Sequence, residues 1–538
     1  MRILLLAHSF NSLTQRLWVE LEQAGHEISL ELDVNDAVTL EAVAQAKPDL
    51  IIAPFLKRAI PPAVWQQHTC LVIHPGPVGD RGPAALDWAI LNRAESWGVT
   101  VLQAEAEMDA GPVWASRTFP LRAATKSSLY RNEVTEAAVE AVMEALNRPQ
   151  PQRPAAPLWR PAMPQSARAI DWNADDTATI LRKLRASDGA PGVRDGDYYL
   201  FDGHPADGLT GPPGHWLAQR DGMVARATCD GAVWIGRMRT AAKGSLKLPA
   251  TDVLPEAAAL PVAPGHHDIW YDEKHAIGYL HFPFHNGAMS TDQCTRLKDA
   301  FIAATQRPTK VICLMGGPDF WSNGIHLSTI EAAASPADES WRNINAMNDL
   351  CEAIITCGSH LTIAAMAGNA GAGGVFMALA ADMVLARTGV ILNPHYKGMG
   401  NLYGSEYWTY LLPRRCGAAK AEQVVQARLP MGTAQALDLG LIDGAFGRTP
   451  LEFRALVVAE AEKLAVATDI EAKLAAKRLA RLADEGHKPL AAYRAEELER
   501  MKLNFYGFDP SYHVARWNFI RRVPKSRTPL YLARHRQT

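Results

Sequence analysis

The sequence predicts a multidomain α/β protein in which two α/β domains flank a small β-rich one and the chain closes on helices. Three observations carry that reading. Short apolar runs alternate with helical periodicities over residues 1–150 and again over 268–450. Residues 166–253 instead break into short runs between Gly-rich turns. Two turn-rich seams, NRPQPQRPAAPLWRPAMPQ (147–165) and LPEAAALPVAPGHH (254–267), separate these regions. A chain of 538 residues also exceeds what one core can organise.

The elements follow in order. Arg2–Ala7 is a first buried strand rather than a secretion signal, because the run is short and reaches His8 without a small-residue cleavage site. Thr14–Gln23 has helical spacing through Leu17, Val19 and Leu21. Asp49–Ala53 and Cys70–Ile73 read as strands, and Ala84–Asn92 as a helix. This is a parallel pattern, and parallel sheets gather ligands at the carboxyl ends of their strands, where His74 stands. The first domain is therefore placed at 1–150, a linker at 151–165, the β-rich domain with a helix over Asp175–Ala186 at 166–253, and a second linker at 254–267. The third domain, 268–538, has strands at Ile277–Phe282 and Val311–Met315, helices at Asp292–Gln306 and Ser340–Thr356, a helical stretch over 451–502 and a basic tail over 514–536. Leu361–Ala381 carries no charge over 21 residues, a nominal bilayer span. Gly368, Asn369, Gly371, Gly373 and Gly374 interrupt it, so a buried strand–loop–helix is expected instead.

Composition bounds the function. Lys+Arg number 55 and Asp+Glu 57, a net charge of −2, which argues against a nucleic-acid partner. Seven scattered cysteines without a CxxC pair suggest neither a disulfide framework nor a thiolate metal site, and a reducing cytoplasm is the expected compartment. No metal and no membrane association are expected.

Two stretches carry candidate chemistry. The first is IHPGPVGDRGP (Ile73–Pro83) with MDAGPV (Met108–Val113). A histidine after a strand is by itself more often packed than catalytic. The segments HPGP, RGPAALDWAI and MDAGPV, in this order, and the later IDW…KLRASDGAPG resemble the folate-dependent formyltransferases over nearly the first 250 residues. The resemblance implies a formyltransferase-type α/β domain, an OB-like β domain behind it, and 10-formyltetrahydrofolate as formyl donor. Formyl transfer passes through a tetrahedral intermediate whose oxygen becomes negative, so it needs a hydrogen-bond donor there and a carboxylate to move protons. His74 and Asp109 match the family's histidine and aspartate; its asparagine falls on Val72. The resemblance places the folate pocket at the Ala53–Lys57 loop, through Pro54, Phe55 and Leu56. Arg16, in the SLTQR segment, is assigned either to the folate tail or an incoming phosphate, or to a solvated helix face.

The second is WSNGIHL (Trp321–Leu327) with AGNAGAGGVFMALAAD (Ala367–Asp382). Together these resemble the two backbone oxyanion loops of the enoyl-CoA hydratase (crotonase) superfamily, which implies a crotonase-type α/β spiral and a coenzyme A thioester as ligand. One amide is expected from Ile325, after Gly324, and the other from Gly373, beside Gly374, at the start of a helix over Val375–Ala381. Glycine lets the backbone approach the thioester closely. His326 takes a position usually held by Asp. The hydratases' two glutamates fall on Phe376 and near His395–Tyr396, so ordinary water addition is not expected. Glu406, a lone acid among Tyr403, Tyr407 and Tyr410, reads either as part of a packed helix face or as a proton-transfer group raised by desolvation.

A formyltransferase-like front and a crotonase-like back on one chain resemble the hydrogenase maturation factors that join both halves. That resemblance implies a cytoplasmic enzyme making carbon monoxide for [NiFe]-hydrogenase: formyl passes from 10-formyltetrahydrofolate to coenzyme A, and formyl-CoA is decarbonylated. His74, Asp109, Ile325, Gly373, Tyr396 and Glu406 are then catalytic, and Arg16, Pro54, Phe55, Leu56, Gly324, Gly374 and His395 bind the folate and CoA. Maturation proteins that receive CO are the expected macromolecular partners, and the chain is expected to be a monomer. Two alternatives stay open. One is a formyltransferase or deformylase fused to a degenerate hydratase; the other is a non-catalytic scaffold binding folate or CoA.

Overall fold

The structure, a computed structural model, describes residues 1–147, 151–153 and 157–537. Part of the first proline-rich seam (148–150 and 154–156) and Thr538 lie outside the described residues. Two compact units result: residues 1–266 together with the chain from Pro524 onward, and His267–Val523.

The first unit begins with β1 (Arg2–Ala7), β2 (Glu27–Leu32), β3 (Leu50–Phe55), β4 (Cys70–His74), β5 (Asp80–Arg81), β6 (Ser96–Gln103) and β7 (Val113–Pro120). Six of these form a sheet ordered β2-β1-β3-β4-β6-β7. The first four run parallel, and β6 and β7 are antiparallel. The unbroken apolar run of β1 fits a strand covered on both faces. The helix Ser12–Gln23 starts two residues before its expected boundary, because the Asn11 side chain accepts a hydrogen bond from Thr14 N and caps it. At the carboxyl ends of the strands, His8 N donates to Phe55 O at 2.7 Å, and His74 closes β4.

The proline-rich seam was expected to be an extended linker, but its second part is a structural element. In it β8 (Leu158–Trp159) pairs in parallel with β5, with Leu158 N donating to Gly79 O and Arg160 N to Arg81 O, each at 2.7 Å. The small domain holds β9 (Val193–Asp195), β10 (Tyr198–Pro205), β11 (Trp216–Arg220), β12 (Met223–Ala227), β13 (Ala232–Thr240) and β14 (Leu248–Pro249). They form one antiparallel sheet, β11-β12-β13-β10-β9 with β14 on β13. Val224, Val233 and Ile235 pack under the helix Thr177–Ala186, whereas Ala225 and Trp234 enter a second cluster. This is the period-two alternation of a strand.

The second unit contains β15 (Trp270–Lys274), β16 (Ile277–Phe282), β17 (Val311–Gly316), β18 (Phe320–Ser322), β19 (Leu361–Met366), β20 (Asn369–Gly371), β21 (Met383–Arg387), β22 (Leu392–Asn393) and β23 (Gly444–Phe446). The large sheet runs β15-β16-β17-β19-β21-β23 and a small one β18-β20-β22. From β17 to β22 the chain lays one strand in the large sheet and the next in the small one, turn after turn, which is the expected spiral. Leu280, Phe282, Ile312 and Leu314 face one core. Ile277, Tyr279, Val311 and Cys313 face another, closed by Phe453 and Val457 of the helix Pro450–Ala465. The uncharged run Leu361–Ala381 becomes β19, β20 and the helix Gly373–Leu379. No helix among the described residues is long and apolar enough to cross a membrane.

Where the sequence carried the third domain to the chain's end, the segment from Pro524 on groups with the first unit. It lies along β2: Leu30 N donates to Leu532 O at 2.9 Å and Leu32 N to Thr528 Oγ1 at 2.7 Å. Glu31, fully buried, accepts from Thr528 Oγ1, from Arg536 Nη2 at 3.0 Å and from His535 Nε2 at 3.2 Å. Burial alone would push this carboxyl up, but the bonds from His535 and Thr528 and the Arg536 charge hold it below the usual glutamate range. Removing one member of a buried charged cluster leaves the others uncompensated. Glu31→Ala is therefore expected to lower the unfolding free energy of the first unit by on the order of 3 kcal/mol in a urea titration. Ser526→Ala, at an exposed position of the same segment, leaves it unchanged.

Two candidate active sites

The first site is a histidine held between two carboxylates. His74 Nε2 donates to Asp80 Oδ2 at 2.9 Å, and its Nδ1 stands 3.6 Å from Asp109 Oδ2. All three side chains are buried or nearly so. The longer distance exceeds a hydrogen bond, and a water or substrate atom can bridge it. Asp109 adopts φ 55° in its Gly-flanked turn, a conformation that Asp tolerates. Its Oδ2 accepts from Gly82 N at 3.1 Å, and Arg81 Nη2 donates to Met108 O at 2.9 Å. The HPGPVGDRGP and MDAGPV segments are thus tied to each other. Gly82 has no room for a side chain, since a Cβ there would stand 2.0 Å from Arg160 O.

Asp80 was not singled out in the sequence, and neither was Arg160, whose Nε donates to Asp80 Oδ1. Asp80 lies inside the quoted motif, but nothing local signals that it turns back to His74. The guanidinium of Arg160 also stacks over Trp97 at 5.3 Å. Val72 pairs with Ala53 and Leu102 in the sheet and packs half-buried against an apolar cluster, so no side-chain donor stands at the expected asparagine. Pro54 and Phe55 end β3 and Leu56 follows it; the Phe55 ring lies 6.0 Å from His8 and 6.3 Å from Tyr130. Arg16 is neither solvated nor free for an anion: it is buried, with Nε on Glu20 at 2.6 Å and Nη1 on Glu136 at 2.9 Å. These ion pairs lock the helix Ser12–Gln23 to the helix Thr135–Ala145.

The second site is built where β18 and β20 run side by side. A Cβ on Gly374 would come within 2.0 Å of Ser322 O, so backbone proximity requires glycine there, whereas Gly324 takes φ 75°, a left-handed conformation that favours glycine. Trp321 Nε1 donates to Gly374 O at 2.9 Å, and Gly324 N to Ser322 Oγ at 3.1 Å. Neither the Ile325 nor the Gly373 N–H has a protein acceptor among the described residues, so both stay available to a ligand oxygen. His326 caps the helix Leu327–Ala332 by accepting from Thr329 N at 3.2 Å.

Glu406 sits against this pair: a Cβ on Gly373 would fall 2.1 Å from Glu406 Oε1. The segment around it is not a helix face. Glu406 and Tyr407 have φ 60° and 58°, two successive left-handed residues ahead of the helix Trp408–Cys416. Non-glycine residues take this conformation at a cost, and it collects at functional sites. Glu406 Oε2 accepts from Tyr396 Oη at 2.5 Å and from Ser405 N at 3.1 Å. Burial pushes its carboxyl up to about 8, the Tyr396 bond pulls against this, and Glu497 adds to the rise. Burial, then the Glu406 carboxyl, push the Tyr396 hydroxyl well above its usual range. Phe376, at the missing glutamate, stacks on Tyr396 at 5.4 Å and stands 6.4 Å from Trp408. His395 turns a partnerless buried Nδ1 inward; burial, then Arg428, push it down to about 4, so it is neutral.

Comparison with known proteins assigns the domains that carry these residues to families. The formyl transferase family matches residues 28–146, the formyl transferase C-terminal domain residues 163–252, and the enoyl-CoA hydratase/isomerase family residues 274–502. The front half is 27% identical over 252 residues to methionyl-tRNA formyltransferase of Citrifermentans bemidjiense, a match covering 44% of this chain and 77% of that protein. The whole chain is 58% identical to the hydrogenase maturation factor HoxX of Bradyrhizobium diazoefficiens, covering 100% of this chain and 97% of that protein. The crystal structure of HypX from Aquifex aeolicus in complex with tetrahydrofolic acid is similar throughout, with a TM-score of 0.98, 51% identity, and 100% and 99% of the two chains covered. The chain belongs to the HoxX/HypX family of hydrogenase maturation factors.

The Glu406 environment has a stability consequence. The folded protein keeps the Glu406 proton to about pH 8, whereas an unfolded chain releases it near 4.5. The stabilisation is complete below the lower value and is lost as pH rises through this window. Glu406→Gln cannot ionise. Its melting temperature is expected to gain steadily on that of the wild type between pH 5 and 8, and a constant difference would refute the shifted carboxyl.

Proposed function

We propose that this protein makes carbon monoxide for [NiFe]-hydrogenase in two half-reactions that share one CoA-borne formyl group. In the first, the thiol of CoA takes the formyl group of 10-formyltetrahydrofolate: a C–S bond forms, the C–N10 bond breaks, and the thiol proton ends on N10. In the second, formyl-CoA yields CO, and its formyl hydrogen ends on sulfur, regenerating CoA. No oxidant or reductant is needed.

At the first site Ala53–Lys57, through Pro54, Phe55 and Leu56, borders the folate. His74 steadies the oxygen of the tetrahedral intermediate, and Asp109 relays the proton across the 3.6 Å gap beside it. Asp80, held by Arg160, fixes the imidazole ring. An enzyme that places Val72 where the formyltransferases carry asparagine relies more heavily on these groups.

At the second site the Ile325 and Gly373 amides hold the formyl oxygen, with Gly324 and Gly374 giving the thioester its close approach. Glu406 takes the formyl proton as the C–S bond breaks and then delivers it to the leaving sulfur, while Tyr396 orients its carboxyl. His395 and Phe376 line the space in uncharged form. The observation that carries this reading is the Glu406 carboxyl lodged beside Gly373 in a left-handed turn. It puts a strong base at an oxyanion pair from which both hydratase glutamates are missing. The receiver of the CO is the hydrogenase maturation machinery.

The test is to mix protein, 10-formyltetrahydrofolate and CoA and to assay CO with a haem reporter. CoA-dependent CO is expected; consumption of the folate with CoA present and no CO would overturn the proposal. Variants separate the half-reactions. His74→Ala and Asp109→Asn should lower CO from the folate by about 10²–10⁴-fold yet release CO from supplied formyl-CoA at the wild-type rate. Glu406→Gln and Tyr396→Phe should lose CO from either source.

A further inference from the structure

Glu497 is a second buried acid in the C-terminal unit, on the helix Leu490–Tyr506, and it is 0% exposed. Both of its oxygens face donors. Oε2 accepts from Tyr407 N at 3.0 Å, and Oε1 from Thr409 N at 2.9 Å and Thr409 Oγ1 at 2.6 Å. The Ser405 hydroxyl is shared between Glu497 Oε2 at 3.2 Å and Asn348 Oδ1 at 2.9 Å. The Tyr407 and Thr409 N–H groups can only donate and stand one on each oxygen, so a carboxylate is matched on both sides, with the two hydroxyls free to donate to it as well. The donors flank Glu406 on either side along the chain. From the opposite direction Asn348 Oδ1 accepts from Glu406 N at 2.8 Å.

The Glu406 carboxyl meets no cation among the described residues. Tyr396 faces it from the loop after β22. The Cys294 and Cys351 thiols, both pushed up by burial, lie near it on the helices Thr291–Ala304 and Pro336–Ile355. Arg494, on the same helix as Glu497, is spent on Asp349 at 2.7 Å and Glu352 at 3.1 Å.

We propose that Glu497 is a positioning residue for Glu406: an acceptor-only carboxylate that clamps the left-handed Glu406–Tyr407 turn against the oxyanion amides and whose charge makes the neighbouring Glu406 a stronger base. The hydrogen bonds support this. Burial pushes both carboxyls up, but four donors reach Glu497 and two reach Glu406, so the negative charge is better held on Glu497. Glu406 then enters the reaction next to a fixed negative charge, which favours its taking the formyl proton. This role rests on Glu406 being the base of the CO-releasing step.

Two variants separate charge from geometry. Glu497→Asp keeps the charge and shortens the reach; Glu497→Gln keeps the length, removes the charge and sets an amide donor against donors. CO release from formyl-CoA is measured against pH. The wild-type rate is expected to rise through about pH 8. Glu497→Asp keeps this limb with a lower kcat, and Glu497→Gln moves it down by about one pH unit or more and loses at least about tenfold in kcat. A Glu497→Gln limb at the wild-type pH would overturn the charge role, and unchanged kcat in both variants would overturn the clamp.

Protonation of Glu406 is also read without any turnover, from the infrared carboxyl stretch that disappears in Glu406→Gln. In wild-type protein the band should be present at pH 7 and vanish through about 8; its absence at pH 7 overturns the proposal even if neither Glu497 variant folds. A band that behaves as expected in a protein that releases no CO would count against the proposed function and leave the coupling of the two acids standing.

Discussion

A buried carboxyl pressed against the first residue of the helix Gly373–Leu379 is the constraint around which the C-terminal unit is organised. Gly373 has no side chain because Glu406 occupies the space one would need. Glu406 reaches that space only through two consecutive left-handed residues, which cost free energy that the surrounding bonds must offset. The neighbouring Ser405 and, from three other stretches of chain, Asn348, Tyr396 and Glu497 supply those bonds. The rings of Phe376, Tyr396 and Trp408 pack together beside Glu406. Burial and the neighbouring Glu497 raise the proton affinity of the carboxyl, while the Tyr396 and Ser405 donors restrain the rise. The arrangement suits removal of a weakly acidic proton better than addition of water.

The first site solves a related problem by other means. His74 is held between carboxylates, and it is Arg160, within the proline-rich seam, that anchors Asp80. The seam therefore supports the His74–Asp80 loop through the β5–β8 pairing. The tail past Pro524 makes a comparable contribution to the edge of the same sheet, where Glu31 gathers Thr528, His535 and Arg536. An open sheet edge needs covering, and here the chain's last segment covers it.

What was legible in the sequence was what is local. The alternation of apolar runs located β1, β3, β4, β16 and β17, and glycine spacing located the two loops around Gly324 and Gly374, because left-handed backbone and close approach leave a residue-type signature at the very position concerned. His74, Asp109 and Glu406 were visible as chemical groups within motifs. Their partners were not: Arg160, Asn348 and Glu497 sit on other elements, and an acid on an Ala- and Glu-rich helix looks like any solvated charge until the fold buries it. Arg16 misled in the opposite direction, since Glu20 and Glu136 take a guanidinium that the sequence left open to an anion. The YGSEYW segment kept a helix face as one reading because left-handed backbone at Glu and Tyr has no compositional mark.

The central claim is that one formyl group crosses from folate to CoA before it becomes CO. Its most direct test is to trap that species. Glu406→Gln protein incubated with 10-formyltetrahydrofolate carrying a ¹³C-labelled formyl group and with CoA is quenched and examined by mass spectrometry. The account predicts that labelled formyl-CoA accumulates in step with tetrahydrofolate. Labelled formate formed without any formyl-CoA, at a rate indifferent to CoA, would contradict it.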